Sequence, residues 1–516
     1  MRKPIDNMAG GMMPDLPDPI PEDGVWTEAR NFRFREGAVE KIRGQRSVFG
    51  SASATPIWVE PVSDGITTFW VYGNEQYLYA TDGSLHALVS PTAPTLTFSA
   101  DARLGYTGGA FHGRMIANDA INPPQVWLPG LGNDFAEISH WPTAHIVDVI
   151  RPFGDFLVGL RWNEGGSYNP RLVRWSDRAA VGAMPGSWDF TDPTNQAGRT
   201  ELGQTHDELV DCLPLRDQNI VYKRFHTWIM QYVGGLDVFA FREVFKESGL
   251  LTEGCVKAFG PRHFAVTDSD IIAHDGNDAQ SLVDKRMRRW LFNRLSPDRF
   301  EFSFVAADYR EREMWFCFPE VGVDFPNLAA VWNWLDNSWS VRDLGEQMAH
   351  ASSGIVEAAG VTFDNDPGEF DTGPVGEFDE YEYTPWSQRL LLAAATRQQL
   401  LQGNTGPTFD GATIGAFALR QNMALSKDVA QVKRVHRVYP KVIGAPGTRL
   451  RIRVGASDNQ EGTVLMQGPF LFVCGVDRKI DCRVTGRFIH LLIEHNESGP
   501  LRLMGFDVEF DHLGPR

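Results

Sequence analysis

The chain is expected to be all-β, a β-propeller of about six or more blades carrying an additional antiparallel β-sandwich or sheet domain. Three observations lead there. Pairs or trios of short β-type runs recur from Trp58 to Leu344, in units beginning near Trp58, Leu104, Val147, Val210, Val256 and Phe304. Apart from one longer step after Val147, their spacing is about 43 to 48 residues, the period of a four-stranded propeller blade. Finally, 50 Gly and 31 Pro supply turns, while 15 Trp and 33 Phe supply bulk to fill between blades. A β-sandwich of unrelated hairpins would explain the strands and not the period.

The chain opens with Met1 to Pro21, where Arg2 and Lys3 precede only Gly, Met, Asp and Pro. That is not the pattern of a signal peptide. Residues 1–24 are expected to form a flexible arm that orders against a neighbour, and residues 25–56 to pack on the platform or the propeller. The propeller itself is assigned to 57–349. Its first unit pairs Phe69-Trp-Val-Tyr-Gly with Tyr77-Leu-Tyr-Ala and closes on Asp82-Gly83, aromatic-rich runs around a turn. Later units repeat the device, as in Phe264-Ala-Val, Ile271-Ile-Ala-His and Asp275-Gly276. The sixth runs from Met314-Trp-Phe-Cys-Phe through Ala330-Val-Trp-Asn-Trp to Asn337-Ser-Trp-Ser-Val-Arg.

An acidic loop is expected at 350–386. Glu357, Asp364, Asp366, Glu369, Asp371, Glu377, Asp379, Glu380 and Glu382 are nine acids without one Lys or Arg between them. At 387–425 the run from Arg389 could be a helix by propensity, but Gly403-Asn-Thr-Gly and Phe409-Asp-Gly follow closely, and strands closing or leaving the propeller are preferred. Residues 426–516 form a C-terminal β domain, joined by the N-terminal segment. There Arg449, Arg451 and Arg453 alternate with Leu450, Ile452 and Val454, which puts the arginines on one face. That stripe is either partner-facing or a solvated edge with arginine gatekeepers.

With 516 residues, two or more domains are expected. No apolar run reaches the roughly 20 residues that span a bilayer, so no membrane span is expected. The five cysteines are scattered and fit buried free thiols of a reducing cytosol. A formal charge of −17 is the opposite of what a phosphate-gripping DNA binder shows. The search for chemistry returns no phosphate loop, no His-Glu-x-x-His and no Gly-x-Ser-x-Gly. Asp364-Asn-Asp-Pro-Gly-Glu lacks the spacing of a calcium loop. No catalytic, cofactor-binding or metal residues, and no cofactor, are therefore assigned. A propeller glycosidase needs two facing carboxylates, which sequence cannot place. An enzyme or lectin acting on a cell-surface polysaccharide remains the alternative function.

Several segments resemble one family, the tail-tube nozzle proteins of short-tailed bacteriophages, also labelled tubular protein B or packaged-DNA stabilization proteins. Ala29-Arg-Asn-Phe-Arg-Phe-Arg-Glu-Gly-Ala-Val-Glu-Lys-Ile-Arg-Gly resembles their opening. The stretch from Gly254 to Gly276 resembles a blade ending at Asp-Gly. Tyr309-Arg-Glu-Arg-Glu-Met-Trp-Phe with Val331-Trp-Asn-Trp-Leu-Asp-Asn-Ser-Trp-Ser resembles the next blade, and Leu503-Met-Gly-Phe-Asp-Val-Glu-Phe resembles the chain end. The likeness covers about residues 25 to 516 in patches, in consistent order. The acidic stretch matches nothing in it.

The resemblance implies a structural virion protein of the tail, assembled in the bacterial host cytoplasm, and no catalysis. It would form a homohexamer ring below the portal and its head-to-tail adaptor, continue the DNA channel, retain the packaged genome and conduct it during ejection. Tail spikes or fibres, and a tail needle or plug protein, are the implied further partners, with double-stranded DNA passing without tight binding. Six copies would carry a formal charge of about −100, and a wall of like charge lets DNA slide. Asp364, Asp366, Glu369, Asp371, Glu377, Asp379, Glu380 and Glu382 are the candidate channel lining or partner loop, and Arg449, Arg451 and Arg453 the candidate partner-facing stripe.

Overall fold

The computed structural model describes residues 1–15, 24–91, 98, 105–235, 237–356, 388–426 and 428–515. Six four-stranded antiparallel meanders follow one another along the chain. Their first strands are Trp58–Ser63, Thr107–Phe111, His145–Phe153, Leu209–Leu215, Val256–Phe259 and Phe304–Asp308, close to the six starts expected from the sequence. A seventh blade completes the ring. It takes Met348–Ile355, Gln388–Ala394 and Gln399–Gly403 from late in the chain and Gln45–Ser51 from early in it, with Leu400 opposite Val48 and Leu401 opposite Ser47. The innermost strand of each blade packs against that of the next, and Met348–Ile355 packs against Trp58–Ser63, so the ring is closed. The chain is a seven-bladed β-propeller. Its last blade is stitched from both ends of the ring, so opening it requires breaking strand pairing as well as side-chain packing.

This moves the boundaries. The propeller does not end at 349: blade seven extends it past residue 400 and draws in 45–51. The run from Arg389 is a strand, because its Leu and Ala residues are buried on both faces between blades six and one. Apolar side chains fill the blade interfaces, those of blades four, five and six in one cluster continuous with the platform core. Blades one and two share Trp58, Val71, Met115 and Trp127, blades three and four share Val158, Trp175, Val221 and Met230, and blades six and seven share Trp315, Leu392 and Leu401. Asp275 shows how the turns close: its Oδ1 accepts from the backbone N–H groups of Asn277 and Asp278 at 2.9 and 3.0 Å, the turn chemistry expected of Asp-Gly.

The second domain, the platform, is a sandwich of two sheets. One is built around Gln431–Gly444 and Leu501–Pro515 and takes Ile480–Gly486, Ala38–Lys41, Phe32–Arg35 and Arg2–Asp6. The other runs in the order Glu28–Arg30, Ala416–Met423, Phe488–His495, Arg449–Ser457, Leu465–Val473. The N-terminal arm is thus not free. Arg2–Asp6 pairs antiparallel with the C-terminal strand, Gly11–Met12 pairs parallel with Val25–Trp26, and Ile5, Met8 and Met12 are buried. Five residues with one apolar member carry no periodic signal; their hydrogen bonds come from the far end of the chain. No helix among the described residues is long and apolar enough to cross a membrane.

One buried polar cluster makes the fold sensitive to acid. Tyr222 of blade four places its hydroxyl 2.8 Å from His263 Nδ1 and 2.6 Å from His274 Nε2, both in blade five. His263 Nε2 lies 2.9 Å from the Pro214 carbonyl and must donate to it. Nδ1 is then the acceptor for Tyr222, whose oxygen accepts in turn from His274. Both rings are therefore neutral, and burial holds them at about 4 and about 3. Below the unfolded value of about 6.5 the unfolded chain binds protons that the native state refuses. Stability should be full above pH 6.5 and fall as pH drops toward 4. Thermal melts across that range check this, and the double replacement His263→Gln with His274→Gln should make the profile shallower, leaving the share of His350, which burial also holds at about 4.

Candidate functional site: the platform junction and two charged surfaces

Three segments far apart in sequence meet where the platform joins blade six. Phe32–Arg35 lies along Ser338–Asp343, the outer strand of that blade. The Asn31 backbone N–H donates to the Val341 carbonyl at 2.9 Å, and the Ser338 hydroxyl donates to the Phe34 carbonyl at 2.6 Å. Asn31 stands in the left-handed region at φ 60°. Its side chain donates to Asp343 and to the Gly415 carbonyl at 2.6 and 2.7 Å. On the other side, Val39 and Glu40 pair with Leu503 and Arg502.

Alternation puts Arg33 and Arg35 on one face of their strand, opposite Glu40 on the next. Arg33 donates to Glu40 at 3.1 Å and to Glu311 at 2.9 Å, while Arg35 donates to the same carboxylates at 2.5 and 2.7 Å. Glu311 stands in the turn between the first two strands of blade six. Glu313 is 3.9 Å from Arg33 and accepts from Trp315 Nε1 at 3.0 Å. Deeper still, Asn404 of blade seven donates to Asp308 at 2.7 Å and accepts from Arg342 at 2.6 Å, and the Arg342 guanidinium lies 4.0 Å over the Trp315 ring.

The energetics divide this cluster. Burial disfavours the charge of Glu311 and Glu40, yet the neighbouring Arg33 and Arg35 hold both below the usual carboxylate range. Asp308 and Glu313 are pushed upward by burial, and burial lowers Arg342 to about 10. The junction is a desolvated network in which the two platform arginines supply the positive charge that Glu311 needs.

Sequence reasoning expected residues 25–56, with Arg33, Arg35 and Glu40 among them, to pack on the platform or the propeller, and named no partner for them. A signal was present in the alternation Arg33, Arg35 and again Glu311, Glu313, but nothing said that strands some 280 positions apart would face each other.

The residues singled out from sequence are placed as follows. Asp364, Asp366, Glu369, Asp371, Glu377, Asp379, Glu380 and Glu382 lie outside the described residues. The flanks of that stretch are described: Ile355 pairs with Gln388, and Trp70 of blade one donates to the Ile355 carbonyl at 3.0 Å. The acidic stretch is therefore an insertion between the first two strands of blade seven, and it starts from the innermost strand of the ring.

Arg449, Arg451 and Arg453 do share one face, with Leu450, Ile452 and Val454 buried behind them. Arg453 pairs with Glu494 at 3.2 Å and Arg449 stands 4.0 Å from Glu497, so the stripe is partly neutralised.

The propeller axis itself is narrow. Where the innermost strands begin, Trp58, Thr107, Arg151, Glu253, Ser303 and His350 line a cavity of about 50 Å³, room for a water or two. Arg151 of blade three makes a two-point contact with Asp211 of blade four at 2.8 and 2.9 Å, and Ser352 donates to Glu60 at 2.6 Å. A duplex, whose major groove alone is about 12 Å wide, has no passage there. Among the described residues no group of three or more His, Cys, Asp or Glu is placed to hold a metal ion.

No protein-family model and no characterised protein matches the sequence. Among solved structures, the chain is similar to BBS1N, crystallised in complex with ARL6DN and soaked with lead, at 10% identity and a TM-score of 0.38, over 70% of this chain and 98% of that one. It is similar also to YCF48 from Cyanidioschyzon merolae at 8% identity and a TM-score of 0.37, over 69% and 99%. At such scores neither likeness bears on function, and the propeller is established by the strand pairing itself.

Proposed function

We propose that this protein is the nozzle or hub subunit of a short phage tail, a structural protein that forms a ring, continues the DNA channel below portal and adaptor, retains the packaged genome and conducts it during ejection. The observation that carries this reading is where the family-like segments sit. The openings around Arg33 and Glu40, the blade-six segments around Glu311 and Trp339, and the chain end around Leu503 share one junction. Three of the four family-like segments thus meet at the joint between platform and propeller, while the fourth, Gly254 to Gly276, lies in blade five.

The closed propeller axis constrains the proposal. The bore belongs to the axis of the ring, between copies, and the surfaces that line it are what DNA meets. A net charge of −17 per chain suits a conduit that repels the duplex; repulsion is screened within about 8 Å at physiological salt, so only bore-lining residues act. The acidic insertion of blade seven is the proposed lining. Replacing Asp364, Asp366, Glu369 and Asp371 by Asn and Gln should leave rings intact and slow genome release, most at low salt. Release from purified particles, followed by a DNA-binding dye, tests this. Normal rates at every salt concentration would remove the insertion from the bore, and lost spike attachment would assign it to an outward partner.

A further inference from the structure

The two platform sheets present unlike outer surfaces. On the sheet around Gln431–Gly444, outward charges neutralise one another: Arg2 with Asp507 at 2.6 Å, Lys441 with Asp6 at 2.7 Å, Arg437 with Asp481 at 2.9 Å. That surface is made for water. On the five-stranded sheet, strand register puts Leu471, Leu492, Leu419 and Phe417 on the same face as the arginine stripe. None of these four is buried, and Leu471 is 53% exposed. Met466 adds to them by lying over Gly455, where a Cβ would have no room. At the centre stands Arg451, exposed and in register with Glu494, whose carboxylate lies 3.2 Å from Arg453.

We propose that this face seats a second copy of this chain, as the subunit contact of the ring; the inference rests on the ring reading given above. A sheet face with exposed leucine beside an arginine stripe that is only partly neutralised fits a partner surface that is apolar and acidic. With 66 acidic and 49 basic residues, a second copy brings an excess of 17 carboxylates to such a contact. The size also fits. Four strands at about 4.8 Å spacing and eight residues at about 3.3 Å give roughly 500 Å², a large share of the roughly 800 Å² per partner of a stable contact. The edge strand, Leu465–Val473, is tied to the opposite sheet. The Gln467 side chain donates to the Arg483 carbonyl at 2.7 Å and accepts from its N–H at 3.2 Å. The contact is face-on and joins unlike surfaces of successive copies, the arrangement that closes a ring.

The test is size-exclusion chromatography with light scattering on the full chain, comparing wild type with Arg451→Glu, Leu471→Glu and the milder Leu471→Ser. Both positions are exposed, so the variants should keep the wild-type far-UV circular dichroism spectrum, while their melting temperatures fall only by what association contributes, and Leu335→Ser on the propeller serves as control. The expected result is a wild type and control at several times the monomer mass, with both Glu variants at the monomer mass and Leu471→Ser shifted toward it. Variants that keep the wild-type mass overturn this interface and leave the ring reading standing. A wild type that stays monomeric at high concentration overturns both.

Discussion

Arg33→Ala should lower stability by about 3 to 5 kcal/mol, the usual result of removing one partner of a buried ion pair. The Arg33 side chain is 5% exposed and lies against Glu40, Glu311 and Glu313. Without it, Glu311 keeps only the half-exposed Arg35 as a close partner from the platform, and Glu313 loses its nearest platform cation. Two further variants separate charge from packing. Arg33→Lys keeps the charge but cannot reach Glu40 and Glu311 with one planar fork, so it should recover only part of the loss. Arg33→Met combined with Glu311→Leu should be less destabilised than Arg33→Ala alone, because the carboxylate that depends most on Arg33 is removed with it. Urea-unfolding midpoints rank the three. Equal midpoints for Arg33→Ala and wild type would show that the network contributes nothing to joining the domains.

Trp339→Ala should cost a similar amount, about 3 to 5 kcal/mol. Its ring is 1% exposed, lies in the core shared by blades five and six and the platform, and donates from Nε1 to the Leu282 carbonyl at 2.9 Å. The N-terminal arm closes over it: Gly11, at φ 82°, approaches so tightly that a Cβ there would meet the Trp339 backbone nitrogen at 2.9 Å. Truncation opens a cavity between the blades, where the ring packs on Phe264 and Trp332. Trp332, 5% exposed, packs beside it. Trp334 is only partly buried at the tip of its hairpin, and Trp334→Ala should cost markedly less. Midpoints for the two variants that coincide would contradict this division.

Six blades were legible because each is contiguous and brings its own turns, so the period survives in sequence. The seventh was not. Its first two strands are separated by residues 356–387, and its outermost strand precedes the whole ring, so no local pattern could assemble Met348–Ile355, Gln388–Ala394, Gln399–Gly403 and Gln45–Ser51 into one sheet. Alternation correctly put Arg449, Arg451 and Arg453 on one face, because that is a property of a single strand. It could not show that Glu494 sits on the neighbouring strand within reach of Arg453. The arm at Arg2–Asp6 and the junction of Arg33 with Glu311 escaped for the same reason: both depend on register between opposite ends of the chain.

The central claim, a ring whose axis carries the DNA, is tested most directly by single-particle electron microscopy of the assembled full-length protein. The account predicts a closed ring with an axial opening wide enough for a duplex, propeller axes lying off that opening, and the root of the acidic insertion at Ile355 and Gln388 facing it. A monomer, or an assembly with no axial opening, would contradict it.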